Sequence, residues 1–328
     1  MSERPAPRPR TEVRADSSTL SNGGVHSRLV DGAAGRLGQC IGRLWRGRAD
    51  PTVRRAGDQW WRTAQTPEGG VLVHLVDVGN DVRVQAWGPG AGWALEQAPR
   101  LLGCHDEAGF HPEHPVLRRL VHRFPRLRVG ATDLVCESLL PTIVEQKVTA
   151  AEAFASVNGL TRRLGDPAPG PRFDPGHPAH GMRLPLSAEQ WVRIPSWDFL
   201  RAGVEQKRSA AVVGAARRGR ALERTLAAGD ADAALRSLPG IGAWTSARTR
   251  QQAHGDADAW STGDYHLPGI ISLALCGEAL DDDGCRELLE PFAGHRYRIE
   301  LLVLASGVRP ERHGPRRTLP SHLPGRRG

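Results

Sequence analysis

Apolar positions change their period several times along the chain, and each change marks an element. Between Gln59 and Trp87 they fall in short alternating or β-branched runs, WWRTAQT, VLVHLVDV and VRVQAW, separated by the turn residues PEGG and GND. Period-2 runs punctuated in this way predict a small antiparallel sheet. Residues 90–103 (GAGWALEQAPRLLG) predict a short helix leaving it. The spacing then becomes helical: TDLVCESLLPTIVEQKVTAAEAFASVNGLTRRL predicts two helices meeting at Pro141, with Thr132 or Asp133 capping the first. Residues 165–185 read as a Pro/Gly-rich loop, and SAEQWVRI, a segment near 198–218 and DADAALRSL predict three more helices. No segment repeats at a fixed period, which argues against a solenoid.

These patterns predict a mainly α protein with a small N-terminal antiparallel β domain (α+β). Residues 1–36 are polar and aperiodic, too poor in apolar surface to offset the entropy of ordering, and are expected to be a disordered tail. A β-rich domain is expected over 37–103, an all-α domain over 104–312 and a basic tail over 313–328.

With 39% apolar residues the chain can fill a core. No stretch approaches the roughly 20 consecutive apolar residues of a spanning helix, and MSERPAPRPR lacks the apolar core of a secretory signal, so a cytoplasmic location without membrane contact is expected. The five cysteines are scattered and never form a CxxC pair, and no histidines fall in HxxxH or HxH with acidic or cysteine partners. Reduced thiols and no metal site are therefore expected.

A net charge of +8 and a pI near 10.0 invite a nucleic-acid reading. The excess sits at the ends: residues 1–60 carry 11 Arg against 6 acidic residues and residues 305–328 carry 6 Arg against one Glu, which leaves the middle slightly acidic. Phosphate binding there needs something other than bulk charge.

The hairpin LPGIGAWTSARTRQQAH, residues 238–254, supplies it. Leu238 and Ile241 can pack two helices together, while Gly240 and Gly242 clear side chains from the turn. A phosphate can then approach open amides at the second helix's start, where the macrodipole favours an anion. An ordinary αα-hairpin has the same glycines, but the context adds chemistry. Twenty residues after Trp244 comes STGDYHLPGI, with Asp264 at the mouth of an apolar helix. An Asp there is a natural N-cap. Capping also holds a carboxylate rigid and ionised, which suits stabilisation of positive charge developing on a sugar.

LPGIGAWT followed by GDYHL, with the PTIVEQKVTAAEAF helix before them, resembles the helix-hairpin-helix DNA glycosylase superfamily, and within it the AlkA-like 3-methyladenine DNA glycosylase II proteins. The likeness spans roughly residues 37–312. It implies a bilobed helical domain, a partner of double-stranded DNA bent across the cleft with a damaged base flipped out, base-excision repair at the nucleoid, a monomer, and no cofactor beyond a monovalent cation at the hairpin backbone. The catalytic aspartate maps onto Asp264. Members that also cut the strand carry a Schiff-base lysine on the second hairpin helix, where this chain has Trp244, so the resemblance implies hydrolysis only.

The implied substrates are alkylated purines such as 3-methyladenine and 7-methylguanine, cationic bases that leave readily once exposed. The implied DNA-binding residues are Gly240, Ile241, Gly242, Trp244 and Thr245 of the hairpin, with Gln146 and Lys147 where the family wedges a residue into the duplex. Lys147 reads equally as a phosphate contact or an exposed helix lysine. Pocket aromatics of AlkA-like enzymes fall nearest Arg248 and Leu304 here, so Trp244, Trp260 and Tyr265 are the candidate stacking partners. Arg296 stands where the family often opens its last helix with Arg. These departures keep two alternatives open: a non-catalytic helix-hairpin-helix DNA-binding protein, and a glycosylase for deaminated or oxidised bases.

Overall fold

The computed structural model describes residues 25–106 and 109–308. Five strands, β1 (His26–Val30), β2 (Val53–Ala56), β3 (Gln59–Thr66), β4 (Gly69–Val78) and β5 (Asp81–Trp87), form one antiparallel sheet in the order β1-β5-β4-β3-β2. The helices are α1 (Leu37–Cys40), α2 (Ala91–Leu101), α3 (Pro115–Arg123), α4 (Val135–Val144), α5 (Ala150–Leu164), α6 (Ala188–Arg193), α7 (Ser196–Arg201) and α8 (Gln206–Ala216). They continue with α9 (Gly219–Glu223), α10 (Ala231–Arg236), α11 (Ala243–Thr249), α12 (Leu267–Cys276), α13 (Asp282–Leu289) and α14 (Arg296–Ser306). The architecture is mainly helical with a small N-terminal antiparallel sheet, as expected. Among the described residues no helix is long and apolar enough to cross a membrane, and the five cysteines are all free.

The sheet departs from its predicted limits. β1 lies inside the span assigned to a disordered tail over 1–36: His26–Val30 pairs with Val82–Ala86 of β5. An isolated five-residue strand shows little periodicity, and β5 supplies the ladder that orders it. Residues 1–24 of that tail and the basic tail over 313–328 lie outside the described residues. Both faces of the sheet are buried. One packs on α1 and α2 through Val73, Leu75, Val84, Leu95 and Leu101. The other is covered by the Pro/Gly-rich loop over 165–185, whose Ala168, Ala179 and Met182 pack on Trp61 and Leu72. Double burial explains the near-continuous apolar run in β4.

Two apolar cores divide the helices into lobes. One gathers α4, α5, α6 and α8 around Leu139, Leu140, Leu160, Phe199 and Leu235; the other gathers α3, α12, α13 and α14 around Leu117, Ile271, Leu289, Ile299 and Val303. α11 and the π-helical turn Arg250–His254 continue from the hairpin, with Ala253 in the first lobe's core and Gln251 Nε2 facing Glu300 Oε2 of α14 at 3.4 Å.

The two helices predicted to meet at Pro141 break later. α4 carries Pro141 inside it, and α5 restarts at Thr149, whose capping box with Glu152 is formed. Neither Thr132 nor Asp133 caps the start of α4. Asp133 turns away in a left-handed conformation (φ 53°) and accepts from Arg100 Nε at 2.7 Å. The cap comes from elsewhere in the chain: Val135 N and Cys136 N donate to the Glu223 carboxylate at 2.9 and 2.8 Å. A carboxylate on the positive end of a helix is worth about 1 kcal/mol. Glu223→Ala is expected to lose that amount in urea unfolding, and an unchanged midpoint would mean α4 needs no remote cap.

Candidate active site

The hairpin turn is built by Gly240, at φ 85°, a left-handed position that a side chain strains. Ile241 is buried in the first lobe's core, so only its backbone faces outward. Gly242 is the N-cap of α11 and brings no side-chain cap, which leaves the helix's first amides open to an external acceptor. Asp232 of α10 locks the two hairpin helices. It accepts from Ser246 Oγ at 2.6 Å and pairs with Arg250 at 3.3 Å. Burial works to raise its pKa, but these partners prevail and hold it below the usual carboxylate value.

Gln146 and Lys147 follow directly on α4. Gln146 Nε2 donates to Gly240 O at 3.0 Å and to Thr245 Oγ1 at 2.8 Å, so the α4–α5 loop is pinned against the hairpin turn. Lys147, next to it, is exposed and held at φ 57°. A non-glycine residue pays about 1 kcal/mol for this conformation, and such strain gathers at functional sites.

Trp244 and Asp264, twenty residues apart, are joined. Trp244 Nε1 donates to Asp264 Oδ2 at 3.0 Å, while the other oxygen, Oδ1, accepts from His266 N at 2.9 Å and Leu267 N at 3.1 Å. Both carboxylate oxygens are thus fixed by N–H donors, and the group is only half-buried at the start of α12. The capping role and an outward-facing carboxylate coexist.

Of the candidate stacking residues, Trp244 hydrogen-bonds Asp264. Trp260 is 6% exposed and packs in the core of the second lobe, where its ring is not open to a base. Tyr265 is 92% exposed, its ring edge-on to His266. Leu304 packs against the second lobe's core. Arg296 is structural: it opens α14 and chelates Asp258 through Nε at 2.8 Å and through Nη2.

The structure also assembles a cluster around Arg248 that the sequence did not bring together. Arg248 lies one turn beyond Trp244 on α11, hence on the same face. Its Nη1 donates to Gln251 Oε1 at 3.0 Å and stands 3.8 Å from the carboxylate of Glu300, which is 1% exposed on α14. Burial raises the Glu300 pKa to about 7, with Arg248 opposing and Asp264 adding to the rise. Arg248 stays firmly charged: burial opposes its charge, but Glu300 and Tyr297 outweigh it. Arg43, from the segment after α1, donates to Gln251 O and to Tyr297 OH, each at 3.1 Å, and to Gly130 O. The β domain and both lobes therefore meet at this cluster. For Arg248 the resemblance marks the position, while for Glu300 the one acid in YRIELLVL is the signal the sequence offers.

No protein-family model and no curated protein matches the chain. Solved structures do. A 3-methyladenine DNA-glycosylase from Archaeoglobus fulgidus aligns with TM-score 0.64 at 19% identity, covering 78% of this chain and 90% of that one. An 8-oxoguanine glycosylase/lyase from Clostridium acetobutylicum, in complex with double-stranded DNA containing cytosine opposite 8-oxoG, aligns with TM-score 0.59 at 13% identity, covering 79% and 89%. MBOgg1, in complex with a low affinity DNA ligand, aligns with TM-score 0.64 at 12% identity, covering 88% and 96%. The chain shares the fold of these three solved structures.

Proposed function

We propose that the protein is a monofunctional DNA glycosylase that hydrolyses the N-glycosidic bond of a base flipped out of duplex DNA, with Asp264 as the catalytic carboxylate. The observation that carries this reading is the fixation of both Asp264 oxygens, by the indole of Trp244 and by two amides of α12, on a half-buried surface next to the hairpin. A carboxylate held in this way is preorganised to stabilise an oxocarbenium-like sugar or to orient the attacking water, with no reorganisation as charge develops. The open amides of Gly242, Ala243 and Trp244 receive a DNA phosphate at the start of α11. The duplex follows from there to Gln146 and Lys147, where the strained, exposed lysine meets the gap left by the flipped nucleotide. A monovalent cation at the hairpin fits the same reading: Leu238 O accepts one hydrogen bond from Ile241 N and Gly240 O one from Gln146, so each oxygen keeps a lone pair.

Lyase chemistry needs an amine that attacks the sugar's C1′ and becomes a Schiff base. α11, AWTSART, contains no lysine, and Trp244 directs its N–H to Asp264. Abasic product with intact strands is therefore expected.

Alkylated purines, 3-methyladenine and 7-methylguanine, are the primary substrate reading, since a cationic base leaves without prior protonation and Trp244 offers an electron-rich face. Arg248, one turn from Trp244, favours a second reading, a neutral deaminated or oxidised base that offers a carbonyl acceptor. The test is free-base release from in-vitro methylated duplex DNA, with strand breaks scored before and after alkali. Release of methylated base with breaks only after alkali is the expected result. Breaks before alkali would overturn the monofunctional reading.

A further inference from the structure

We propose that Arg248 and Glu300 form a charge-selecting wall of the base site: the Arg248 guanidinium discriminates against a cationic base, and the Glu300 carboxylate behind it relieves that discrimination. The inference rests on the function proposed above and concerns which bases that same site releases.

The geometry is layered. Trp244, which touches Asp264, and Arg248 share a face of α11 one turn apart, so a base seated against Trp244 meets the guanidinium next. The Arg248 side chain is 28% exposed and the Glu300 side chain 1% exposed. The guanidinium is thus the surface and the carboxylate its backing. Gln251 holds the two in register: its Oε1 accepts from Arg248 Nη1 at 3.0 Å, while its Nε2 faces Ser261 Oγ at 2.9 Å, Ala259 O at 2.7 Å and Glu300 Oε2 at 3.4 Å. The guanidinium has five N–H donors, and among the described residues one of them is engaged at hydrogen-bond distance. The others are available to a carbonyl or ring-nitrogen acceptor on a base.

The wall's net charge depends on Glu300. With the carboxylate ionised the pair is neutral overall, and a cationic N-methylpurine meets little repulsion. With it protonated the guanidinium loses the carboxylate bearing most on it and the wall becomes more positive, with Asp264 and Glu145 still acting on Arg248, so a like charge is disfavoured. The groups bearing on Glu300 are Arg248 and the Gln251 amide from α11 and the π turn and Asp264 from the loop before α12; Tyr297 of α14 and Glu145 bear on Arg248, and Arg43 reaches Gln251 and Tyr297 from the β domain. Burial and Asp264 raise the carboxyl while Arg248 lowers it, and the balance falls at about 7. The wall therefore changes charge across the neutral range.

The test is single-turnover release of 3-methyladenine from methylated duplex, and of hypoxanthine from inosine-containing duplex, between pH 6 and pH 8. It compares wild type, Arg248→Met and Glu300→Gln, with thermal unfolding of each variant as the folding control. In wild type, release of 3-methyladenine is expected to rise roughly tenfold over this range relative to hypoxanthine. Arg248→Met should release 3-methyladenine at pH 6 as fast as wild type does at pH 8, with no dependence attributable to the wall. Glu300→Gln should be slow on the cationic base at both values. If Glu300→Gln does not fold, the wild-type and Arg248→Met profiles decide. Parallel profiles in these two proteins, with release intact, overturn the wall and leave the glycosylase reading standing. Absence of base release by wild type from either duplex overturns both.

Discussion

Asp264→Asn protein is expected to bind duplex DNA as tightly as wild type and to release methylated base on the order of 10²–10³-fold more slowly. Asparagine is the discriminating replacement because it preserves half of the native bonding. Its side-chain oxygen can still accept from His266 N and Leu267 N, so the start of α12 stays capped. Its amide nitrogen faces Trp244 Nε1, a donor opposite a donor, and the negative charge that would stabilise the oxocarbenium-like sugar is gone. Structural and chemical roles therefore separate in one variant. The measurement is single-turnover base release beside DNA affinity at one fixed salt concentration. A rate within a few-fold of wild type would remove Asp264 from the chemistry and leave it as a helix cap.

Arg298→Met is expected to lose about 3–5 kcal/mol of stability and to lower the melting temperature by on the order of 10 °C. Arg298 ties α14 to the rest of the molecule through a buried bidentate pair: Nη1 and Nη2 donate to the two oxygens of Asp106, each at 2.6 Å, with side-chain exposures of 7% and 9%. Asp106 also accepts from Val129 N at 2.8 Å, so the pair joins the segment after α2, the approach to α4 and the last helix. Methionine fills the stem's volume but strands a buried carboxylate, and the cost of that uncompensated charge dominates. Asp106→Leu combined with Arg298→Met should recover much of the loss, since a well-packed apolar pair need not be worse than a buried ionic one. A double variant no more stable than Arg298→Met would mean that packing, and not the stranded charge, sets the cost. Because α14 also carries Glu300 and Tyr297, the single variant is expected to loosen the base site as well as the fold.

The sequence by itself determined what depends on near neighbours. Period-2 runs between Gln59 and Trp87 became β3, β4 and β5, because alternation on a pleated strand is a local property. The hairpin, its glycine turn at Gly240, and the catalytic candidate Asp264 could be read directly, since turn conformation and helix capping reach only a few residues along the chain. The contact of Trp244 with Asp264, twenty residues apart, was not read from the sequence.

Tertiary structure decided whatever depends on groups far apart in sequence. β1 orders because β5 offers it a ladder across more than fifty residues. Glu223 displaces the two local candidates, Thr132 and Asp133, as the cap of α4 because it reaches the amides from another helix. Trp260 was expected at the base site and lies in the second lobe's core, since an aromatic side chain carries no local mark of which cavity will receive it. The Arg248–Gln251–Glu300 cluster joins α11 to α14 across some fifty residues. A buried charge is tolerated only where distant partners converge on it, and that convergence is a property of the folded cleft alone.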